Sequence, residues 1–562
     1  MNEVTRSRVA VIGLGVAGIT SIKNLVEQGF VNVTGFERNG HIGGLWQYHD
    51  DPTQTTALKT TRTNGSKHYS AFQDFPWPDD APHYPSADQV ADYIRSYAKH
   101  FELEQYFRLS TTVLSLSPAD RSGSIHDEDD DAARASSSRG DSPCRWELKY
   151  RDGSGEHEEI FDKVLVTNGP WGKAWVPFLP GQESFKGKII HAQAYKGPEL
   201  YKGKKVIVAG LGNSGADIAV SLVGRHQKYT SRIDQEHEWC LRRFQGRQSR
   251  PVDHQITRSR WIAGARLNEL FPSFMTWLGS KATEILFKKT NPKYRDEWGF
   301  FPAPPLSAVP PAIQDDLIDC MADGKIHNLF GIKRFTPSGV ITPSTRDGTE
   351  QLETNGDVII LATGYSADLS WCHDEASPFL DNAPEWDALT DEDHKVPYPS
   401  LYMNLFSPKS PESLAFIGPC RGFAPIEFTN FDLSSQAIGQ VWKGAFPLPT
   451  LKERIEWCDD NYRANVLAGK RYRNVRPTMP PLKLERWLND VIGNEVNERF
   501  GWGIQAWRFW WKERKLYQLI MNGINTPFVY RLWDGREGSR KKWAGARRAI
   551  YHANGLELDE KI

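Results

Sequence analysis

Two glycine-spaced stretches carry the residues best suited to chemistry. Gly13, Gly15 and Gly18 stand in GLGVAG after the apolar run RVAVI, and Gly210, Gly212 and Gly215 stand in GLGNSG after VIVA. In a strand–turn–helix opening, the first glycine makes the tight turn and the second admits a pyrophosphate close to the backbone. The third lets the helix pack on the strand. The helix N–H groups then face the anion, here those around Val16 and Ala17 in one turn and Asn213, Ser214 and Ala216 in the other. One such spacing is weak evidence for dinucleotide binding. Two in one chain are much stronger.

The two turns differ in what ends the next strand. VNVTGFE closes on Glu37, followed by Arg38, and a carboxylate there accepts from a free ribose 2′-hydroxyl. HQKYTSR closes on Ser231 and Arg232 with no acid, and an arginine there neutralises a 2′-phosphate. The first turn therefore suits FAD or NAD, and the second suits NADPH. A plain surface arginine is the alternative reading of Arg232.

Between the turns lie further candidates. In RNGHIGGLWQY, Gly43 and Gly44 allow close backbone approach, and Leu45 and Trp46 offer apolar contact. The proline-punctuated loop 60–80 carries Thr63 and Asn64. On chemistry alone an Asn before Gly65 is as well explained as a turn residue. Phe185, Gly187, His191 and Tyr195 are spaced FxGxxxHxxxY directly before the second glycine-turn strand, and Asp217 follows that turn.

The elements that must position these residues are those of an α/β protein. Residues 8–36 read as a complete βαβ unit, DQVADYIRSYAKHF as a helix, and FDKVLVTNGPW as a resumed strand. RSGSIHDEDDDAARASSSRGDSP (121–143) has almost no apolar content and reads as a disordered surface insertion. Residues 257–300 are helical in pattern. Their Trp261, Leu267, Leu270, Phe271, Phe274 and Trp277 could touch a membrane surface, but packing on the body is the expectation. GDVIILATGY ends in a turn expected to meet the first cofactor site again, and the Trp-rich C-terminal third looks irregular.

With 562 residues the chain is long enough for two or three domains, and a net charge of -1 gives no global attraction for nucleic acid. Six scattered cysteines without a CxxC pair suggest reduced thiols in a cytoplasmic setting and no metal site. The start enters a core strand at once, leaving no room for a signal peptide, and no apolar run approaches the ~20 residues of a membrane span.

The order GLGVAG…ERNGHIGGLW…TRTNGSKHYSAFQDFPWP…FKGKIIHAQAY…GLGNSGADIA…LATGYS resembles the class B flavin-containing monooxygenases over nearly the whole chain. Tyr195 closes the fingerprint as in that family, where the related Baeyer–Villiger monooxygenases have Trp. The insertion at 121–143, a stretched loop after Arg232 and a missing hydrophobic C-terminal anchor depart from the family pattern.

The resemblance implies two Rossmann-like domains. The FAD domain would be 1–180 with 331–450, the NADPH domain 181–330 would be inserted in it, and 451–562 would form an irregular helical C-terminal extension. It implies FAD, NADPH and O2, a C4a-hydroperoxyflavin, and an amine or sulfur substrate. Asn64 would be the active-site asparagine. Gly13, Gly15, Gly18, Glu37, Gly44, Leu45 and Trp46 would meet FAD, and Thr63, Asn64, Ser214, Gly215, Asp217 and Arg232 would meet NADP. His191 and Tyr195 would hold the linker between domains and not act as acid and base.

Ketone oxygenation, NADPH oxidase activity and a non-enzymatic flavin-binding protein are the competing readings. A pyridine nucleotide–disulfide reductase lacks its cysteine pair here. A homodimer and a peripheral membrane contact are both left open.

Overall fold

A computed structural model describes residues 3–119, 145–223, 228–231, 239–240, 251–303, 312–345, 348, 350–379, 399–418, 427–472 and 479–558. Two five-stranded parallel sheets organise it. The first runs in the order Leu414–Phe416, Lys163–Val166, Arg8–Ile12, Asn32–Phe36, Phe107–Arg108. The second runs Asn328–Leu329, Lys228–Ser231, Val206–Ala209, Val358–Leu361, Lys188–His191. In each sheet the strand leading into a glycine turn is central. Its residues are apolar without alternation because helices or other layers cover both faces of a parallel sheet.

Sheet membership corrects one expected boundary. Val358–Leu361 pairs with Val206–Ala209 and Lys188–His191, so the second domain continues past residue 330 and the chain returns to the first sheet only at Leu414–Phe416. The hairpin strands Trp146–Asp152 and Gly155–Phe161 do not extend the first sheet. They form a separate antiparallel sheet with Thr112–Pro118. The 121–143 insertion falls between two strands of that sheet and lies outside the described residues.

The C-terminal third is more regular than expected, with helices at Leu451–Tyr472, Pro481–Ile492, Ile504–Lys512, Arg514–Asn522 and Ala546–Ala553. Leu488, Val491, Ile520, Phe528 and Ile550 share one core with Val9, Val11, Ile22 and Leu25. The extension is thus part of the first domain's interior. The packing expected of residues 257–300 does not occur at five of the named positions. Leu267, Leu270, Phe271, Phe274 and Trp277 are exposed, because the two helices Arg258–Leu270 and Pro272–Thr290 scatter apolar residues around their circumference. Among the described residues, no helix is long and apolar enough to cross a membrane.

Candidate active site

The first glycine turn is built by contacts that only glycine allows. Gly13 has φ +99, and a Cβ on Gly18 would lie 1.9 Å from the Gly13 carbonyl oxygen. Helix Val16–Glu27 therefore sits directly on the strand end. Its first turn has no acidic residue and no side-chain cap, so an anion can approach the N–H groups of Val16, Ala17 and Gly18. Gly43 N–H donates to the Leu14 carbonyl (2.9 Å), and a Cβ on Gly44 would come within 3.1 Å of the Gly15 Cα. This brings the half-buried Leu45 and Trp46 beside the turn. Glu37 is buried, and its carboxylate accepts from Leu14 N–H (2.9 Å) and Asn39 N–H (2.9 Å). Arg38 is exposed just beyond it.

The second turn repeats the plan. Gly210 has φ +108, a Cβ on Gly215 would lie 1.9 Å from the Gly210 carbonyl oxygen, and helix Asn213–Ser221 again begins without a side-chain cap. Asn213 and Ser214 are exposed, while Ala216 is buried and offers only its backbone. Ser231 ends the adjacent strand, opposite Ala209. Arg232 lies outside the described residues.

Two positions complete these turns: Thr167, which sequence reasoning passed over, and Ala362, in the turn expected at the first site. Thr167 Oγ1 donates to the carbonyls of Ile12 (3.0 Å) and Gly13 (2.8 Å) from the end of the neighbouring strand. Ala362 fills the same place in the second domain: its N–H donates to Ala209 O (2.7 Å), and a Cβ on Gly210 would meet its carbonyl at 2.4 Å. The Ala362–Gly364 turn, expected at the first site, therefore packs on the second glycine turn. The matching strings VLVTNG and IILATG were the available signal.

The loop 48–66 joins the two turns. Ala57 N–H donates to Leu45 O (2.8 Å), and Thr61 Oγ1 donates to Asp217 Oδ2 (3.0 Å). The other Asp217 oxygen accepts from Gln314 (3.0 Å), so this carboxylate works as a clasp between segments. Tyr48 and Lys196 each donate to the other's loop, at Lys196 O (2.9 Å) and Gln54 O (2.8 Å). Within this clasped loop Thr63 is buried, its N–H bonded to Pro85 O (3.0 Å), and Asn64 is exposed. Two residues on, Ser66 N–H donates to the buried Asp253 carboxylate (2.5 Å).

The fingerprint before the second turn is built into the packing around that turn. Gly187 leaves the space taken by the Phe185 ring and the Asp357 carbonyl. His191 Nδ1 accepts from Gln193 N–H (3.1 Å), and burial lowers its pKa to about 4. Tyr195 is buried, with its hydroxyl 2.7 Å from Ser221 Oγ at the end of the second glycine-turn helix. Tyr195→Phe is expected to cost about 1 kcal/mol of stability and to leave the pH profile of turnover unchanged. Loss of one limb of that profile would instead make Tyr195 an acid or base.

A family model described as flavin-binding monooxygenase-like matches residues 6–557. Monooxygenase aurF of Gibberella zeae is 32% identical over 549 residues, covering 97% of each chain. Dimethylaniline monooxygenase (N-oxide-forming) 2 of Rattus norvegicus is 30% identical over 550 residues, covering 97% of this chain and 91% of its own. The structure of S-allyl-L-cysteine S-oxygenase from Allium sativum aligns with a TM-score of 0.57 at 20% identity, over 86% of this chain and 88% of that one, which attests the fold. With the two glycine turns joined by one loop and the family's match running nearly end to end, this chain belongs to the flavin-binding monooxygenases and is a flavin-dependent oxygenating enzyme.

Proposed function

We propose that the enzyme uses NADPH and O2 to oxygenate an amine nitrogen or a sulfur, with FAD held at the first glycine turn. The residues there fit that cofactor. The meeting of Gly15 and Gly44 leaves backbone without side chains where a pyrophosphate would lie. The Glu37 carboxylate accepts three protein hydrogen bonds, from Leu14 and from both nitrogens of Asn39. A carboxylate has about four acceptor sites, so one is left for a ribose hydroxyl. NADPH would lie at the second turn, with Gly212, Asn213, Ser214 and Gly215 near its phosphates and Ser231 and Arg232 at the ribose end.

The flavin, when bound, supplies the activation of O2 and delivery of one oxygen atom to the substrate. This chain's residues bind, orient and exclude water. The observation that carries the proposal is the Thr61–Asp217 hydrogen bond, because it ties the loop bearing Thr63 and Asn64 to the second helix. One loop then answers to both nucleotides. Asn64, exposed in that loop, is the group we assign to hydrogen-bonding at the reacting centre. The choice of nitrogen or sulfur is supported by Tyr195 in the fingerprint and by the N-oxide-forming rat relative.

The test compares dimethylaniline, a thioether and cyclohexanone as substrates of the FAD-loaded enzyme, following NADPH, O2 and product together. One N-oxide or sulfoxide per NADPH is expected. A lactone as main product would move the enzyme to ketone chemistry, and peroxide alone would make it an NADPH oxidase. Asn64→Ala is expected to keep FAD and to consume NADPH, while product per NADPH falls roughly 100- to 1,000-fold, the scale of losing one positioned hydrogen-bonding group. Coupled turnover at the original yield would remove Asn64 from the chemistry.

A further inference from the structure

We propose that His68, His83 and His254 form a binding site for one divalent metal ion of the zinc class, which clips the turn leading into helix Arg258–Leu270 to the loop that carries Asn64. The three imidazoles come from separate stretches, and one ring nitrogen of each lies within 4.8 Å of the other two. Ring centroids are 5.3 Å apart for His68 and His254, 5.7 Å for His83 and His254, and 6.2 Å for His68 and His83. The rings are inclined to one another by 56°, 81° and 58°, so they fan around a shared point and do not stack.

Tetrahedral zinc with bonds of about 2.0–2.1 Å sets its ligand nitrogens roughly 3.3 Å apart. Small ring rotations of about an ångström close that gap. The backbone already holds the three positions together. Lys67 N–H donates to His83 O (2.7 Å), and Ser66 N–H donates to the carboxylate of Asp253, the neighbour of His254. An ion would therefore meet ligands whose main chain is fixed, which lowers the ordering cost of binding. His68 and His254 are half-buried and His83 is exposed, leaving a route in and an open fourth position for water. A set of neutral nitrogen ligands selects zinc, copper, nickel or cobalt over calcium and magnesium.

The clip has a direction. His68 and His83 belong to the first domain's loops, with His68 four residues after Asn64, while His254 lies in the 3-10 turn Val252–Gln255, which leads into the helix that Arg258 and Ser259 bond to Glu485 and Asn522. Binding between them restrains the Asn64 loop and stabilises the folded enzyme alone, since the unfolded chain scatters the ligands.

Chelator-treated, flavin-loaded enzyme would be dialysed against Co2+, whose tetrahedral complexes absorb at wavelengths beyond the flavin's own bands. The expected result is one Co2+ per chain, displaced by one equivalent of Zn2+, with a rise in melting temperature of about 3–5 °C on Zn2+ saturation. His83→Gln, at an exposed position, and His68→Gln should each weaken retention at least ~100-fold, as the loss of one of three ligands implies. No Co2+ retained by the wild-type enzyme, or equal retention by His83→Gln, would overturn the site. Saturated binding with an unchanged melting temperature would overturn the clip.

Discussion

Gly215→Ala is expected to give a folded, yellow enzyme that has lost NADPH, whereas Gly18→Ala gives a colourless or insoluble one. The steric insult is the same at both turns. A Cβ at either position would lie 1.9 Å from a backbone carbonyl, of Gly210 in one case and Gly13 in the other. Ordinary contact begins near 3.4 Å, so helix and strand must separate by more than an ångström. A 1 Å misplacement is worth about 10²-fold in a positioned site. What differs is the freedom to move. Ten of the twelve residues in helix Val16–Glu27 are buried, and that helix lies in the core shared with the C-terminal helices. Four of the nine in helix Asn213–Ser221 are buried. The second helix can shift and survive with a KM for NADPH raised roughly 100-fold, while the first cannot shift without opening the main core. Flavin content, solubility and NADPH dependence of flavin reduction read the two outcomes apart. Loss of flavin in Gly215→Ala, or normal NADPH use by it, would reverse the assignment of the turns.

Much of this was legible because it is local. A glycine three or five residues from another fixes a turn by chain geometry, and Glu37 ends a strand whose length the apolar pattern sets. Asp217 shows what locality cannot supply. Its place after GLGNSG suggests a cofactor contact, and its oxygens also accept from Thr61 and Gln314, residues that folding alone brings together. Thr167 and Ala362 stood in plain view in two matching strings, but their role needs the knowledge that each strand lies beside a glycine turn. The helices after residue 451 were the least legible. The apolar face of Arg514–Asn522, with Leu516 and Ile520 buried, announces burial without naming its partner. Its partners are the helices Ile504–Lys512 and Ala546–Ala553 beside it and the helix Arg258–Leu270, some 250 residues earlier.

Arg531→Met is expected to destabilise the enzyme by about 3–5 kcal/mol, the cost of stripping one partner from a buried ion pair. Arg531 is 1% exposed and holds Glu27 (2.8 Å) on the first glycine-turn helix and Asp74 (2.9 Å). Lys23 shares both acids, at 2.6 and 2.5 Å, and the buried Arg540 donates to the carbonyl of Tyr530 beside them. The C-terminal segment is thus fastened under the helix that forms the first cofactor turn. Burial alone would raise the Glu27 pKa, but Arg531 and Lys23 overcome it and lower the value from 4.5 to about 2. A fall of that size corresponds to roughly 3 kcal/mol. Because the folded-state value is depressed, this stability is fully present above pH ~4.5 and is lost as pH falls toward ~2. Removing Arg531 should therefore lower the apparent melting temperature at neutral pH by roughly 3–4 °C and flatten the dependence between pH 4.5 and 2. Asp74→Asn added to Arg531→Met should recover part of the loss, since it removes the carboxylate left without its arginine. A single variant that melts within a degree of wild type, with the same acid sensitivity, would detach the C-terminal helices from the integrity of the flavin site.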